Sequence, residues 1–226
     1  MASGRYRVAP TKEDGSSGGG SEPVSADADG VLVGNVYDKY GTKNPIARAM
    51  MSEFLAAVTD LYSRVRPASV VEVGCGEGNL AAHLWTNAPR PRTFEACDVS
   101  LGQLSSGLPP EIVFREASIY ELPWQDTSVD LVVCCEVLEH LDDPARGLRE
   151  LARISKRAVL LSTPREPLWR ALNLARGKYW RDWGNTPGHV QHFSRRGLTR
   201  LVERELEVKA SKSPVPWTVL LGEPRR

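Results

Sequence analysis

Hydrophobic runs alternate with amphipathic stretches along most of this chain. Short runs rich in Val and Leu predict buried strands, and longer stretches with apolar residues three or four positions apart predict helices. Such alternation is typical of a parallel sheet with helices on both faces. The predicted strands cover 69–74, 93–100, 112–118, 129–137 and 157–164, and the predicted helices cover 45–66, 78–88, 101–108, 139–155 and 195–205.

The two ends of the pattern differ from its centre. Asn44 can cap a first helix that begins at Pro45. Residues 207–214 and 217–223 predict an antiparallel closing pair, and 165–194 is predicted to be irregular. We therefore predict an α/β fold with a doubly wound seven-stranded sheet, mostly parallel with an antiparallel C-terminal strand. The apolar face of the first helix is predicted to contain Ile46, Met50, Phe54, Leu55, Val58, Leu61 and Val65.

Three glycines lie within five residues at the turn after the first predicted strand. They are Gly74, Gly76 and Gly78. Glycine permits unusual backbone angles and lets a ligand lie against the main chain, and the helix that follows offers free N–H groups. The spacing is G-x-G-x-G, and Asn79 replaces the third glycine of the dinucleotide pattern. The loop predicts a cofactor site, and its spacing argues against an NAD(P) oxidoreductase.

An acidic residue ends the second predicted strand. Asp98 follows Gly78 by 20 residues, and a carboxylate in this position can accept hydrogen bonds from both hydroxyls of a ribose. Ligands of parallel sheets bind beyond the carboxyl ends of the strands, where the glycine loop also lies. The pair predicts an adenosine-containing ligand.

Together these motifs resemble those of class I S-adenosylmethionine-dependent methyltransferases. "VVEVGCGEGNLA" matches their first motif, E/D-x-G-x-G-x-G, in full, and "EACDVS" resembles the second. "FREASIYELPWQDTSVDLVVCCEVLEHLDDP" resembles the third and fourth. The resemblance covers about residue 35 to residue 226 and implies a Rossmann-like fold that binds S-adenosylmethionine. Where many relatives have Asp near the adenine, this chain has the longer Glu116.

The resemblance implies a role for each cofactor-binding residue. The backbone at Gly74, Cys75 and Gly76 is expected under the methionine part, and Glu72 near its ammonium group, although Glu72 can equally brace the loop. Asp98, with Val99 after it, is expected at the ribose. The residues expected beside the adenine or bordering the methyl group are Glu116, Ala117, Ser118, Cys135 and Glu136.

Candidate catalytic residues follow the fourth and fifth strands. Glu136, Glu139 and His140 would share one face if a helix began at Glu136, and His189 and His192 come from the segment after the fifth strand. One interpretation is that Glu136 and His140 brace the loop, and another is that His189 or His192 acts as a general base beside Glu136.

A third interpretation is a divalent-metal site made by the same groups. E-x-x-E-H with a later His resembles the ligand set of small-RNA 2′-O-methyltransferases and of ubiquinone-pathway O-methyltransferases. Oxygen and nitrogen ligands of this kind suit Mg²⁺, Mn²⁺ or Zn²⁺. We do not favour a metal, because the flanking segments differ from those of these enzymes.

The outer parts of the chain carry the predicted lids. Residues 1–30 are rich in Gly, Ser, Asp and Ala and predict a disordered tail, and 31–226 predict one methyltransferase domain. Lids are expected at about 35–45 and 165–194, where aromatic and basic residues suit a planar or anionic substrate. Packing against the rest of the fold, without substrate contact, is the alternative role for each lid residue. The candidate substrate-contacting residues of the lids are Tyr37, Tyr40, Trp169, Trp180 and Trp183.

Composition narrows the choice of acceptor. The net charge of +1 gives no general argument for nucleic acid or membranes, and four cysteines without a C-x-x-C pair predict reduced thiols in the cytoplasm. We predict methyl transfer to a small molecule, with oxygen preferred. The alternatives are a metal-assisted 2′-O-methyltransferase acting on RNA and a non-catalytic protein that binds an adenosine ligand. The oligomeric state is not predicted.

Overall fold

The computed structural model describes residues 44–175, 183, 185–186 and 189–226, and the backbone of two short strands at 25–26 and 32–33. Ser25–Ala26 pairs antiparallel with Leu32–Val33. This small ladder lies across the boundary predicted at residue 30. The rest of the predicted tail, and Tyr37 and Tyr40 of the first lid, lie outside the described residues, so the domain and lid boundaries stay predictions.

The centre of the fold is a seven-stranded sheet, which confirms the predicted fold class. Its strand order is β3-β2-β1-β4-β5-β7-β6. Strands β1 to β5 pair in parallel, and β7 lies antiparallel between β5 and β6. The strands are β1 Ser69–Val73, β2 Thr93–Asp98, β3 Ile112–Glu116, β4 Val129–Cys135, β5 Ser155–Pro164, β6 Leu206–Lys212 and β7 Trp217–Pro224.

The strand order creates a crevice between β1 and β4. These two strands are neighbours, but the chain continues from β1 towards one edge of the sheet and from β4 towards the other. The loops that leave their carboxyl ends therefore diverge, and ligands of open α/β sheets bind at this switch point.

Helices cover both faces of the sheet, as predicted. Side chains of α1 and α2 pack with Val70 and Leu131 on one face, and those of α3 and α5 pack with Val71 and Val132 on the other. Neighbouring residues of a strand point to opposite faces, so each strand contributes to both cores. The helices are α1 Pro45–Val65, α2 Asn79–Asn87, α3 Pro144–Ile154, α4 Leu168–Ala175 and α5 Arg195–Val202.

The first helix begins where the sequence predicts it. The Asn44 side chain accepts hydrogen bonds from the amides of Ile46 and Ala47 at 2.9 and 3.3 Å, and Pro45 occupies the first turn. The predicted apolar face is wrong at one position, because Ile46 is 71% exposed.

None of the helices in the described part of the chain has the length and apolar character that a membrane span requires.

Two predicted elements differ from the structure. Residues 101–108 form turns rather than a helix, because Gly107 is left-handed and the Ser105 amide donates to the Glu77 carbonyl of the glycine loop. Residues 165–194 are not irregular throughout, since they include α4, whose Leu, Ala and Arg residues are good helix formers.

The helix predicted after the fourth strand begins later than expected. Glu136 is left-handed with φ 61°, Leu138–His140 forms a 3₁₀ turn, and α3 begins only at Pro144. The Asp143 side chain caps α3 by accepting the Arg146 amide at 2.9 Å. Glu136, Glu139 and His140 therefore do not share one α-helical face.

Candidate functional site

The glycine loop lies at the carboxyl end of β1, beside the loop that leaves β4. Gly74 and Gly78 have φ values of 77° and 78°. A Cβ on Gly74 would lie 2.2 Å from Val137 Cγ2, and one on Gly78 would lie 2.9 Å from Leu108 Cδ1. Both positions favour glycine for the backbone angle. Gly74 also needs it for space, because Val137 leaves no room for a methyl group, whereas at Gly78 the end of the Leu108 side chain would have to shift.

Asp98 joins the end of β2 to the glycine loop. Its Oδ2 accepts the Gly76 amide at 2.7 Å, and its Oδ1 accepts the Val99 amide at 2.8 Å. The Cys97 carbonyl accepts the amides of Gly74 and Cys75 at 2.8 and 3.0 Å. The predicted ribose-binding carboxylate is thus held in one orientation by backbone amides.

A cavity opens at the switch point above this loop. It encloses about 560 Å³, open solvent at its mouth included. Its walls contain several of the predicted cofactor-binding residues, together with side chains from α1, α2 and β7 that the sequence analysis did not select. The predicted residues in its lining are Glu72, Gly74, Cys75, Gly76, Cys135 and Glu136.

Glu72 is buried in the wall of this cavity. It is 3% exposed, and its Oε2 has no hydrogen-bond partner among the described residues. Burial, together with the nearby charge of Asp98, raises the pKa of the Glu72 carboxyl to about 8, although a backbone hydrogen bond from Ala81 acts in the opposite direction. A buried carboxyl with one oxygen left without a hydrogen bond among the described residues is suited to a cationic group that enters the cavity.

The predicted adenine-side residues lie next to Asp98 but not in the cavity lining. The Ala117 amide donates to the Asp98 carbonyl at 2.9 Å. The exposed Glu116, at the end of β3, accepts the Leu101 amide at 3.3 Å, and Ser118 Oγ accepts the Tyr120 amide at 3.3 Å. These contacts order the loops beyond β2 and β3, and the roles of these residues at the adenine stay predictions.

Glu136 is held in place at the end of β4. Its Oε1 accepts a hydrogen bond from Ser162 Oγ at 3.0 Å, and its Oε2 accepts one from Trp217 Nε1 at 2.7 Å. Its left-handed backbone is uncommon for a non-glycine residue, and such conformations concentrate at functional sites. The carboxylate thus fixes one wall of the cavity.

The structure brings together three of the other candidate residues. Glu139, His140 and His189 each offer one ligand atom, and these atoms lie within 4.8 Å of one another. The rings of His140 and His189 meet edge to face at 5.0 Å. Glu139 and His189 are buried, whereas His192 is exposed and its Nε2 lies 2.9 Å from Asn185 Oδ1. We name the first three residues the histidine cluster.

The described part of the second lid packs against the site through Trp169. Its ring stacks on His189 at 6.1 Å and lies 6.0 Å from the ring of Trp217. Its Nε1 donates to Thr186 Oγ1 at 2.8 Å. Trp183 is 75% exposed, and Trp180 lies outside the described residues. Trp169 therefore connects the histidine cluster to the cavity wall.

Sequence reasoning missed four apolar residues of the cavity lining, of which Leu80 comes from α2. Met51 and Phe54 come from α1, and Trp217 opens β7. The ring centroids of Phe54 and Trp217 lie 4.9 Å apart. The helical spacing of Phe54 indicated only a buried face, and no pattern in the sequence points to Trp217.

Comparison with known proteins agrees with this architecture. A family described as a methyltransferase domain matches residues 47–205. A probable S-adenosylmethionine-dependent methyltransferase of Mycobacterium tuberculosis is 32% identical over 148 residues, which cover 63% of this chain and 51% of that protein. The ubiquinone biosynthesis O-methyltransferase of Paracidovorax citrulli is 35% identical over 96 residues, which cover 38% of this chain and 39% of that protein.

A solved structure extends the comparison to the fold. Magnesium protoporphyrin IX methyltransferase from Synechocystis, with bound SAH, superposes with a TM-score of 0.57 at 15% identity, over 82% of this chain and 90% of that one. At this identity the likeness shows the fold alone. The chain spans about half the length of the first curated relatives that it matches.

The fold is that of a class I methyltransferase, a class whose cofactor is S-adenosylmethionine. The residues present fit this cofactor, because the glycine cradle at Gly74 has no room for a side chain and Glu72 presents a buried oxygen that no other described residue hydrogen-bonds. The chain belongs to the methyltransferase-domain family.

The close contact at Gly74 can be tested against a matched glycine. Gly74 and Gly107 both have φ 77°, but nothing lies within 4 Å of a Cβ built on Gly107. Alanine at either site carries the left-handed strain, and only Gly74→Ala adds overpacking against Val137, about 1–3 kcal/mol. We expect Gly74→Ala to lower the free energy of unfolding in urea by this additional amount relative to Gly107→Ala. Equal losses would contradict the steric argument.

Proposed function

We propose that this chain transfers the methyl group of S-adenosylmethionine to a small-molecule acceptor, at an oxygen atom. The observation that carries the proposal is the cavity at the β1/β4 switch point, which Glu72 and Glu136 line. Asp98 is held by the amide of Gly76, a residue of the same cavity lining. When bound, the cofactor supplies a methyl group activated by a sulfonium. This chain's residues then bind, orient and exclude water.

The small size of the acceptor is supported by charge and by the cavity walls. The net charge of +1 does not favour a polyanion, and Phe54, Trp217 and Met51 add an apolar surface to the cavity. Two observations support an oxygen as the accepting atom. A hydroxyl must lose its proton during transfer, and the histidine cluster offers groups that can take it up. The chain is also similar to a ubiquinone biosynthesis O-methyltransferase. The cytoplasmic location stays a prediction.

His189 is our candidate for the proton acceptor. It is buried against Trp169 and lies with Glu139 in the histidine cluster, and a neighbouring carboxylate stabilises an imidazole that takes up a proton. Glu136 acts in this proposal as a positioning residue, since Ser162 and Trp217 hold its two oxygens. His192 is the alternative base.

A second candidate is a metal-assisted form of the same reaction. The atoms of the histidine cluster lie close enough together to hold one ion, and two imidazoles with one carboxylate suit Zn²⁺ or Mn²⁺. Glu136 is not part of this group, so the cluster offers three ligands rather than the four considered from the sequence. A bound metal would lower the pKa of an acceptor hydroxyl.

The role of Asp98 can be tested by comparing its effect on cofactor affinity with that of a matched carboxylate, Asp130. Asp130 also accepts a backbone amide, that of Ala68 at 2.8 Å, but it lies near the amino end of β4. Two charge-assisted hydrogen bonds to a ribose are worth about 1.5–3 kcal/mol each. We expect Asp98→Ala to weaken S-adenosylhomocysteine binding in calorimetry by about 100-fold or more, and Asp130→Ala to leave it within a fewfold of the original. Equal binding by both variants would remove Asp98 from the site.

Measurements of methyl transfer test whether the protein is an enzyme and whether His189 is its general base. We expect radiolabelled methyl groups to reach phenolic acceptors in a panel of phenols, amines and short RNAs. On the best acceptor, His189→Gln should lower kcat by about 10² to 10⁴ while cofactor affinity changes little. A loss confined to His192→Gln would transfer the role to that residue. Tight cofactor binding with no transfer to any acceptor would favour the non-catalytic alternative, and transfer to RNA alone would favour the RNA enzyme.

Metal content distinguishes the two candidate mechanisms. The proton-acceptor mechanism predicts undiminished activity after chelator treatment and no stoichiometric metal in protein purified without chelator. The metal-assisted mechanism predicts about one equivalent of Zn or Mn by elemental analysis. That metal should be absent from Glu139→Gln and present in Asp142→Asn, an exposed acid in the same loop.

A further inference from the structure

Helix α4 is oriented the opposite way round from the other α-helices that the structure describes. Its sequence is LWRALNLA, and the polar Asn173 is the only one of its eight residues that is buried. Leu168, Leu172 and Leu174 are half-buried, and Ala171 is exposed. A helix that packs on a core normally buries its apolar residues and turns its polar residues to solvent. The inversion leaves apolar surface of α4 available for a contact outside the fold.

Hydrogen bonds hold the polar side of α4 against the fold. Asn173 Nδ2 donates to Thr186 Oγ1 at 3.2 Å, and Trp169 Nε1 donates to the same oxygen at 2.8 Å. The Trp169 ring also stacks on His189 at 6.1 Å. These contacts fix which side of α4 faces inward, so the outward position of its leucines follows from the packing of the lid.

Two strongly exposed apolar residues lie beside α4. Trp183 is 75% exposed, and its carbonyl accepts a hydrogen bond from Nε of Arg170, in α4, at 3.0 Å. Val190 is 50% exposed and follows His189, on which the Trp169 ring stacks. Exposed apolar residues that are scattered singly are ordinary, but a group of them around one helix marks an interaction surface.

A third exposed apolar residue joins this surface from the turn between β6 and β7. Val215 is 41% exposed, and the carbonyl of the next residue, Pro216, accepts the amide of Arg165 at 2.8 Å. Arg165 lies in the short connection from β5 to α4, and Trp217 of the cavity wall follows Pro216. The surface therefore lies at the carboxyl end of β5, which is the end of the sheet where the cavity opens. We name α4 with Trp183, Val190 and Val215 the apolar rim.

The charges beside the apolar rim are basic. The Phe193 carbonyl accepts the Glu166 amide at 2.9 Å, which brings the start of α5 next to the connection that leads into α4. Neither α4 nor α5 contains an acidic residue. Glu166 is turned inward, because its Oε1 is buried and its Oε2 accepts the amide of Arg170 at 3.4 Å. The basic residues of these segments are Arg165, Arg170, Arg195 and Arg196.

A lipid surface fits the apolar rim better than another protein does. The rim is built on a helix about 12 Å long, whereas a stable protein interface buries about 800 Å² on each partner. A lipid layer needs no partner of matching shape, and its binding strength comes from a few inserted apolar side chains together with attraction between basic residues and anionic headgroups. Leucine and tryptophan with arginine beside them are the composition of such a contact.

We propose that the apolar rim docks this protein on an anionic lipid surface. In the docked state the leucines of α4 and the ring of Trp183 lie at the depth of the headgroups, and the neighbouring arginines contact lipid phosphates. Docking brings to the lipid the same end of the sheet at which the cavity opens. The inference goes beyond the proposed function and does not depend on it.

Co-sedimentation of the full chain with lipid vesicles tests the proposal. The protein should bind vesicles of equal parts phosphatidylglycerol and phosphatidylcholine at least about 10-fold more tightly than vesicles of phosphatidylcholine alone. The reason is that each basic residue near an anionic surface strengthens binding about fivefold. Added salt should weaken binding to the anionic vesicles, because it screens this attraction.

Two variants and a matched control locate the contact. Trp183→Ser should weaken binding to the anionic vesicles about 10-fold, because a large apolar side chain no longer enters the lipid. Val190→Ser should weaken it about fourfold, which is the effect of one buried methylene group. Val113→Ser is the control, because Val113 is 52% exposed and lies in β3, at the edge of the sheet farthest from β6 and β7. This control should bind as the wild type does.

The other outcomes overturn the proposal. Equal binding by the wild type and by all three variants would show that the rim is not the contact, and no binding of the wild type to anionic vesicles would remove lipid as the occupant. A dimer in analytical ultracentrifugation that Trp183→Ser disrupts, without vesicle binding, would assign the rim to an interface between two copies of this chain. The proposed function is judged separately, by binding of S-adenosylhomocysteine and by methyl transfer.

Discussion

The carboxylate of Asp98 is the contact on which the site depends. It terminates β2, and through Gly76 it fixes the loop that leaves β1. Two parallel strands are thereby joined at their carboxyl ends by a charged group rather than only by the sheet's own hydrogen bonds. The same side chain is expected to receive the ribose, so the group that orders the loop also selects the ligand. Replacing it removes an anchor and a contact together.

A second constraint joins β1 to β4. Gly74 lies so close to Val137 that no side chain fits, and Glu136, just before Val137, takes a left-handed conformation. Ser162 of β5 and Trp217 of β7 then hold the Glu136 carboxylate. The cavity wall is thus built from four neighbouring strands of the sheet, which makes its shape a property of the whole sheet rather than of one loop.

The sequence predicts the parts of this site that local rules govern. The capped start of α1, the strand alternation, the glycine turn and Asp98 each follow from residues close together in the chain. The link from Glu136 to Trp217 spans 81 positions, and the meeting of His140 with His189 depends on how α4 packs, so neither has a local signal. The delayed start of α3 had one, because Asp143 before Pro144 is a helix-start signal.

The position of Trp217 makes the cavity depend on the last strand of the sheet in chain order. Strand β7 enters between β5 and β6, and its first residue holds the Glu136 carboxylate. A partly folded chain with only β1 to β5 assembled would contain the glycine loop and Asp98 but lack the wall that Trp217 completes. The pocket is therefore complete only when β7 lies between β5 and β6, so ligand binding reports on the packing of this strand as well as on the glycine loop.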